Sequence, residues 1–331
     1  MDTLCFSSGG IYGLSYITAL QYLINNNYIQ LENIKTFVGT SIGSILSLLL
    51  VVGYTPDELF SFIKNYDIKE IEPDINIDLI FESYGFDNFD KVTNLLKFLC
   101  ERKLKLKEFN FYDLFVLTKK KLIMNSTNFN TGAELIMDYQ KTPYLCVFKA
   151  ISMSCCIPLI YTPILYENEY YLDGCLSKNM LLDICNPKTT LGLYLNNAKK
   201  FNLSSIKELI IGSLIILSNK LHIDESKYTI LMISCDSEKV VPMNIDKSFM
   251  YDLFKIGEIS ASIFYKKELK KVIKKTKDNI KIVKNNIILN VLNNIINDIE
   301  IINNDVDLIN NDVDLINNDV DLINNDVDLI N

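Results

Sequence analysis

The stretch Thr36-Phe37-Val38-Gly39-Thr40-Ser41-Ile42-Gly43, continued by an apolar run through Val52, constrains this chain more than any other. A β-branched and aromatic run stops at Gly39, and apolar residues resume after Gly43. That pattern predicts a strand, a sharp turn and a buried helix, with Ser41 at the bend. Gly-x-Ser-x-Gly in this setting is a nucleophile elbow, whose flanking glycines are needed because the tight backbone leaves no room for side chains. The helix N-terminus behind Ser41 favours developing negative charge. The plainer alternative is a glycine-bearing strand-to-helix turn with Ser41 as an ordinary N-cap.

The N-terminal residues repeat the arrangement. Leu4-Cys5-Phe6 reads as a strand, Ser7 to Gly13 as a glycine turn, and Leu14 to Leu23 as a helix. Five of the twelve glycines fall within the first 43 residues, so exposed backbone N–H groups are concentrated there. One use is phosphate binding in a dinucleotide fold, but Ser8 interrupts Gly-x-Gly-x-x-Gly and no ribose-binding acid follows a second strand. The other use is an oxyanion hole. Ser41 arrives only about 28 residues after Gly13, and neighbouring parallel strands bring both turns to one sheet edge.

Net charge argues against a nucleic-acid partner. The chain of 331 residues carries 41 acidic and 33 basic residues, but eight of the aspartates lie in a terminal repeat; the remaining 33 balance the bases. Eight cysteines are scattered through apolar runs without Cys-x-x-Cys spacing, and there is one histidine, so neither a zinc site nor any other metal is expected. Buried free thiols suit a reducing compartment. Because a strand begins at Leu4, no signal peptide is expected; the longest apolar runs, 42–52 and 209–217, fall short of the roughly 18 residues a span needs. The expectation is a cytoplasmic chain.

Further along, residues 56–115 read as helices, with a start at Pro56-Asp57-Glu58-Leu59 and an amphipathic run from Val92 to Leu104. Lys119–Asn125 and Tyr144–Phe148 read as strands or strand edges around a polar turn at Ser126–Gly132, and Ala150–Ile157 as a short helix stopped by Pro158. Tyr170 to Asp173 is a strand ending in Asp-Gly, a pair that most often marks only a turn. Strands are expected at Leu191–Leu195 and Tyr228–Cys235, with an apolar helix at Ile206–Leu217 between them. Alternating strands and helices predict an α/β fold, a largely parallel sheet covered on both faces.

Residues 266–284 hold nine lysines and two acids with Leu269, Val272, Ile273 and Ile280 interleaved, the pattern of a basic amphipathic helix. It suits a solvated final helix or a peripheral membrane-surface face. From Asn303 the heptad Asn-Asn-Asp-Val-Asp-Leu-Ile runs four times. A coiled-coil seam is one reading; like charges and poor helix formers favour a disordered or loosely ordered acidic tail.

Together these features resemble the patatin-like phospholipase family. Phe6 to Gly13 is similar to its glycine-rich oxyanion segment, Gly39-Thr40-Ser41-Ile42-Gly43 to its nucleophile elbow, and Asp173-Gly174-Cys175 to its Asp-Gly-Gly/Ala motif. Asn125-Ser126-Thr127-Asn128, the run Ala150 to Pro158, and Lys178-Asn179 stand in the family's order, as do Ile230–Asp236 and Asp252–Phe264. Three positions differ: Ser8 stands for a common glycine, Tyr12 for Arg or Lys, and Cys175 for Gly or Ala.

The resemblance covers residues 3–270, with the motif-bearing core at 4–186, leaving 271–302 as a basic, Asn- and Ile-rich helical segment and 303–331 as the tail. It implies a three-layer α/β/α fold and a phospholipase A-like lipid acyl hydrolase without cofactor or metal, acting on a lipid or membrane-surface substrate. It further implies Ser41 as nucleophile, Asp173 as general base and the N–H groups of Gly9 and Gly10 as oxyanion donors, with Gly13, Gly39, Gly43 and Gly174 as motif glycines.

Two rivals stand beside it. A Ser-His-Asp hydrolase would use His222, the only histidine, although that fold usually places several strands before its serine. A catalytically degenerate relative would keep the fold as a lipid-binding protein. As the base, Asp173 is favoured over His222: it ends a strand as Ser41 does, so both project from one edge of a parallel sheet.

Overall fold

The computed structural model describes residues 1–74, 77–196, 212, 227–235 and 247–282. Strands are β1 (Thr3–Phe6), β2 (Thr36–Gly39), β3 (Gly85–Asp87), β4 (Lys121–Asn128), β5 (Glu134–Met137), β6 (Leu159–Tyr161), β7 (Ile164–Tyr166), β8 (Glu169–Asp173), β9 (Thr190–Asn196) and β10 (Thr229–Ser234). Helices are α1 (Ser15–Asn25), α2 (Ile42–Val51), α3 (Pro56–Asn65), α4 (Ile77–Ser83), α5 (Asp90–Leu104), α6 (Phe111–Thr118), α7 (Val147–Ser154) and α8 (Lys247–Ile282).

Hydrogen-bonded neighbours in the main sheet run β10-β9-β1-β2-β4-β8-β7, with β5 also on β4; β3 and β6 form a separate pair. From β10 to β4 every pairing is parallel, whereas β5, β8 and β7 enter antiparallel. The two-residue period of the strands divides the core. Leu4, Phe6 and Phe37 join a large apolar cluster with α1 and α2, while Cys5, Val38 and Ile123 pack on Met180 to Leu182 on the other face. The result is an α/β fold with a mainly parallel sheet buried on both faces.

Several sequence-based expectations need correction. Tyr144–Phe148 is not a strand. Tyr144 is 84% exposed, Cys146 makes only an isolated bridge to Asn110, and α7 starts at Val147, three residues earlier than the helix expected from Ala150. A segment that leaves Pro143 and turns at once into a buried helix has no length in which to pair. β4 also runs through Asn128, into the stretch expected to be a turn, because residues 124–128 pair with β5 and β8, and the Ser126 and Thr127 hydroxyls donate to the β8 carbonyls of Leu172 and Asp173. The short strand β3 interrupts the expected all-helical region. Apart from Gly212, the expected helix at Ile206–Leu217 lies outside the described residues, as do His222 and the tail 303–331.

The chain divides into two compact units, Met1–Lys266 and Lys267–Asn331. Within the first unit, α8 crosses α1 closely: a Cβ on Gly257 would fall 2.0 Å from the Ser15 carbonyl oxygen, and the Thr18 hydroxyl donates to the Phe254 carbonyl at 2.6 Å. Among the described residues no single helix is long and apolar enough to cross a membrane.

Candidate active site

Ser41 occupies the bend between β2 and α2 with φ 54° and ψ −122°, a conformation strained for any residue with a side chain. The bend is tight because a Cβ on Gly39 would sit 2.1 Å from the Gly43 carbonyl oxygen, and one on Gly43 would sit 2.7 Å from that of Phe6. Side chains at either position would open the elbow. Ser41 does not cap α2; its hydroxyl donates to Asp173 Oδ2 at 2.7 Å, and its N–H donates to Ser154 Oγ at 3.0 Å. The N-cap alternative therefore fails: the hydroxyl faces away from the helix it precedes.

Asp173 reaches Ser41 by an unexpected route. Met124 pairs with both Gly39 and Met137, so β2 and β5 lie on opposite edges of β4. Ser126 pairs with both Leu135 and Asp173, so β8 takes the edge that β2 vacates at the elbow. The two strands thus meet end to end, and Asp173 lies at the level Ser41 would occupy had β2 continued straight. The expectation that both residues project from the edge of parallel strands is corrected here: β4 overshoots β2, and β8 runs back antiparallel toward the nucleophile.

Both side chains are buried, Ser41 6% and Asp173 1% exposed. The Cys175 N–H donates to Asp173 Oδ1 at 2.8 Å, leaving Oδ2 to Ser41. Burial lifts the Asp173 carboxyl above its ordinary pKa, although the bonds from Cys175 and Ser41 pull the other way. A backbone N–H serves Asp173 whatever side chain follows Gly174, so the cysteine at 175 keeps this contact.

The glycine turn stands beside the elbow. Phe6 pairs with Gly39, and a Cβ on Gly13 would lie 2.4 Å from Ile42 Cγ1. Gly10 has φ 55° and open space around it, and the N–H groups of Gly9 and Gly10 donate to no partner among the described residues. Ser8 donates through its N–H to the Asn179 carbonyl at 3.0 Å and through its hydroxyl to Asn179 Oδ1, so the serine in place of glycine ties down the turn. Tyr12, in place of Arg or Lys, is buried edge-on against Phe249 of α8, with ring centroids 5.9 Å apart. It anchors the loop by packing, not by charge.

Gly174 lies against Asn125, where a Cβ would come within 2.5 Å of Oδ1. Sequence reasoning noticed Asn125 to Asn128 only by their order, and missed Ser154 and Asn179 as supports. Their signal was polarity at buried positions: Ser154 and Asn179 are both buried, and a buried polar side chain must find a partner. Among the described residues no three His, Cys, Asp or Glu side chains converge on a point that could hold a metal. A cavity of about 550 Å³ lies between α1, α3 and α8, lined by Thr18, Tyr22, Phe60, Tyr251 and Phe254, and no site residue borders it.

Fold and site define a class, that of α/β proteins with an elbow serine bonded to a strand-end aspartate. The patatin-like phospholipase family model matches residues 4–185, and the chain belongs to that family. It is 34% identical over 188 residues to the probable lipid hydrolase 463L of Invertebrate iridescent virus 6, covering 55% of this chain and 62% of that protein. Over 176 residues it is 32% identical to the uncharacterized protein R571 of Acanthamoeba polyphaga mimivirus, covering 53% of this chain and 58% of that one. The chain thus spans about three-fifths of the length of these relatives. The crystal structure of VipD from Legionella pneumophila shares the fold, with TM-score 0.53 and 16% identity over 80% of this chain and 66% of that one.

Proposed function

We propose that the chain is a lipid acyl hydrolase that cleaves fatty-acyl esters through a Ser41–Asp173 dyad. The observation that carries this reading is the 2.7 Å hydrogen bond from the strained, buried Ser41 hydroxyl to Asp173 Oδ2. As Ser41 Oγ attacks the ester carbonyl, its proton passes to Asp173. The carbonyl oxygen gains negative charge, which the N–H groups of Gly9 and Gly10 and the N-terminus of α2 stabilise. Collapse expels the alkoxide, which takes the proton from Asp173, and leaves an acyl group on Ser41. Water, activated by the same carboxylate, then releases the fatty acid. The raised pKa of Asp173 supports this role, because it narrows the gap between a carboxylate and a serine hydroxyl.

The family and the viral probable lipid hydrolase support a lipid substrate for this chain. The decisive measurement is ester hydrolysis and fluorophosphonate labelling by the purified chain and its Ser41→Ala variant. The expected outcome is a folded variant with neither activity nor label. A variant hydrolysing at the wild-type rate would overturn the assignment of Ser41, and a wild-type chain inert toward every acyl ester would favour the degenerate lipid-binding reading.

A further inference from the structure

Asn125 is fully buried in β4, and its side-chain amide is shared among segments far apart in the chain. Its Oδ1 accepts from the Thr40 hydroxyl at 2.9 Å. Its Nδ2 donates to the carbonyls of Gly174 and Lys178, each at 3.2 Å, and to Glu134 Oε1 at 3.0 Å. An amide NH₂ has two protons, so three acceptors share them, and both the oxygen and the nitrogen of the group are engaged. Thr40 immediately precedes Ser41, and Gly174 immediately follows Asp173. Lys178 precedes Asn179, which holds Ser8 in the glycine turn.

We propose that Asn125 is a positioning residue, a planar clamp that sets the Ser41–Asp173 distance by gripping the residue before one and the residue after the other. The proposal rests on the dyad reading and adds to it the source of the alignment. Strand pairing alone does not supply it, because β2 and β8 meet end to end with no ladder hydrogen bonds between them. Gly174 is consistent with this role, since any Cβ there would press into the Asn125 amide. The clamp also has its own support: Glu134, which accepts from Nδ2, is held by Lys178 Nζ at 3.2 Å.

Thr40→Val offers the cleanest test, because it removes one hydroxyl at nearly constant volume and leaves Asn125 in place. Asn125→Ala cuts every arm, and Thr40→Ser restores the hydroxyl. A misplacement near 1 Å costs about a hundredfold in rate, so folded Thr40→Val and Asn125→Ala should each lose roughly ten- to a hundredfold in kcat with KM within about twofold. Fluorophosphonate labelling should slow in parallel. The acid limb of the pH profile should move to higher pH, because the Ser41 bond is among the contacts that lower the Asp173 pKa. Thr40→Ser should recover most of the rate, and the double variant should lose little more than Asn125→Ala alone. Folding is followed by circular dichroism. A folded Thr40→Val with wild-type kcat and pH profile overturns the clamp even if Asn125→Ala does not fold. Ser41→Ala keeps the two claims apart: if it is inactive while Thr40→Val is normal, the dyad stands and the clamp alone fails.

Discussion

At the scale of single residues, the site places a charge where the fold would be more stable without one. Asp173 is almost wholly buried, no cation pairs with it among the described residues, and its pKa is raised chiefly by loss of water. The sign of the linkage follows. Below the ordinary carboxylate pKa the group is protonated folded and unfolded alike, and no penalty arises; as pH rises through the raised folded value, that stability is lost. Asp173→Asn should therefore melt higher than the wild type at pH 7, and the advantage should vanish in acid, as thermal melts across pH would record. The same variant should lose on the order of a thousandfold in ester hydrolysis, as removal of a catalytic base does. Activity of the wild type should fall in acid with a midpoint above the usual carboxylate range. His222→Ala, by contrast, should keep activity within a few-fold; a dead His222→Ala beside an active Asp173→Asn would restore the triad.

At the scale of elements, local pattern revealed what neighbouring residues decide together. Gly39 to Gly43, the glycine turn and the parallel strands were legible because each is encoded within a dozen residues. The route of Asp173 was not. Whether β8 runs with or against β4 depends on pairings across more than 40 residues, and β5 and β7 are short strands with no alternation to betray them. Ser154 and Asn179 could be read as polar residues in need of a partner, but not as supports for Ser41 and Ser8, since hydrogen-bond partners far apart in sequence leave no spacing to read. The contact of α8 with α1 is another long-range feature, hidden in one glycine. Gly257→Ala improves helix propensity by about 1 kcal/mol but drives a Cβ toward the Ser15 backbone, where overpacking costs about 1–3 kcal/mol. Backbone cannot step aside as a side chain can, so the clash should win and Tm should fall. Ile259→Ala, at an exposed position of the same helix, should change stability by no more than about 0.5 kcal/mol.

At the scale of the whole molecule, charge is segregated along the chain rather than balanced locally. Without the repeat the acidic and basic residues are equal in number, yet residues 266–284 carry a net +7 and the tail 303–331 a net −8. Each lysine near an anionic membrane contributes about 1 kcal/mol of attraction, so the basic stretch is expected to draw the chain to anionic vesicles. The tail is tethered to that stretch by fewer than 20 residues, and a short tether gives an effective concentration of about millimolar. At low ionic strength the aspartates should therefore compete with lipid headgroups for the lysines. Removing residues 303–331 should strengthen binding to anionic vesicles at low salt, and the difference should shrink as salt shortens the screening length toward about 10 Å at 0.1 M. Hydrolysis of a short soluble ester should stay the same, because the repeat lacks a core-building pattern and the groups described around Ser41 come from residues 6–179. Co-sedimentation of both forms with anionic and neutral vesicles across a salt series decides it: equal binding to the anionic vesicles at low salt rules out masking by the tail, and a gain on neutral vesicles would trace the effect to something other than charge.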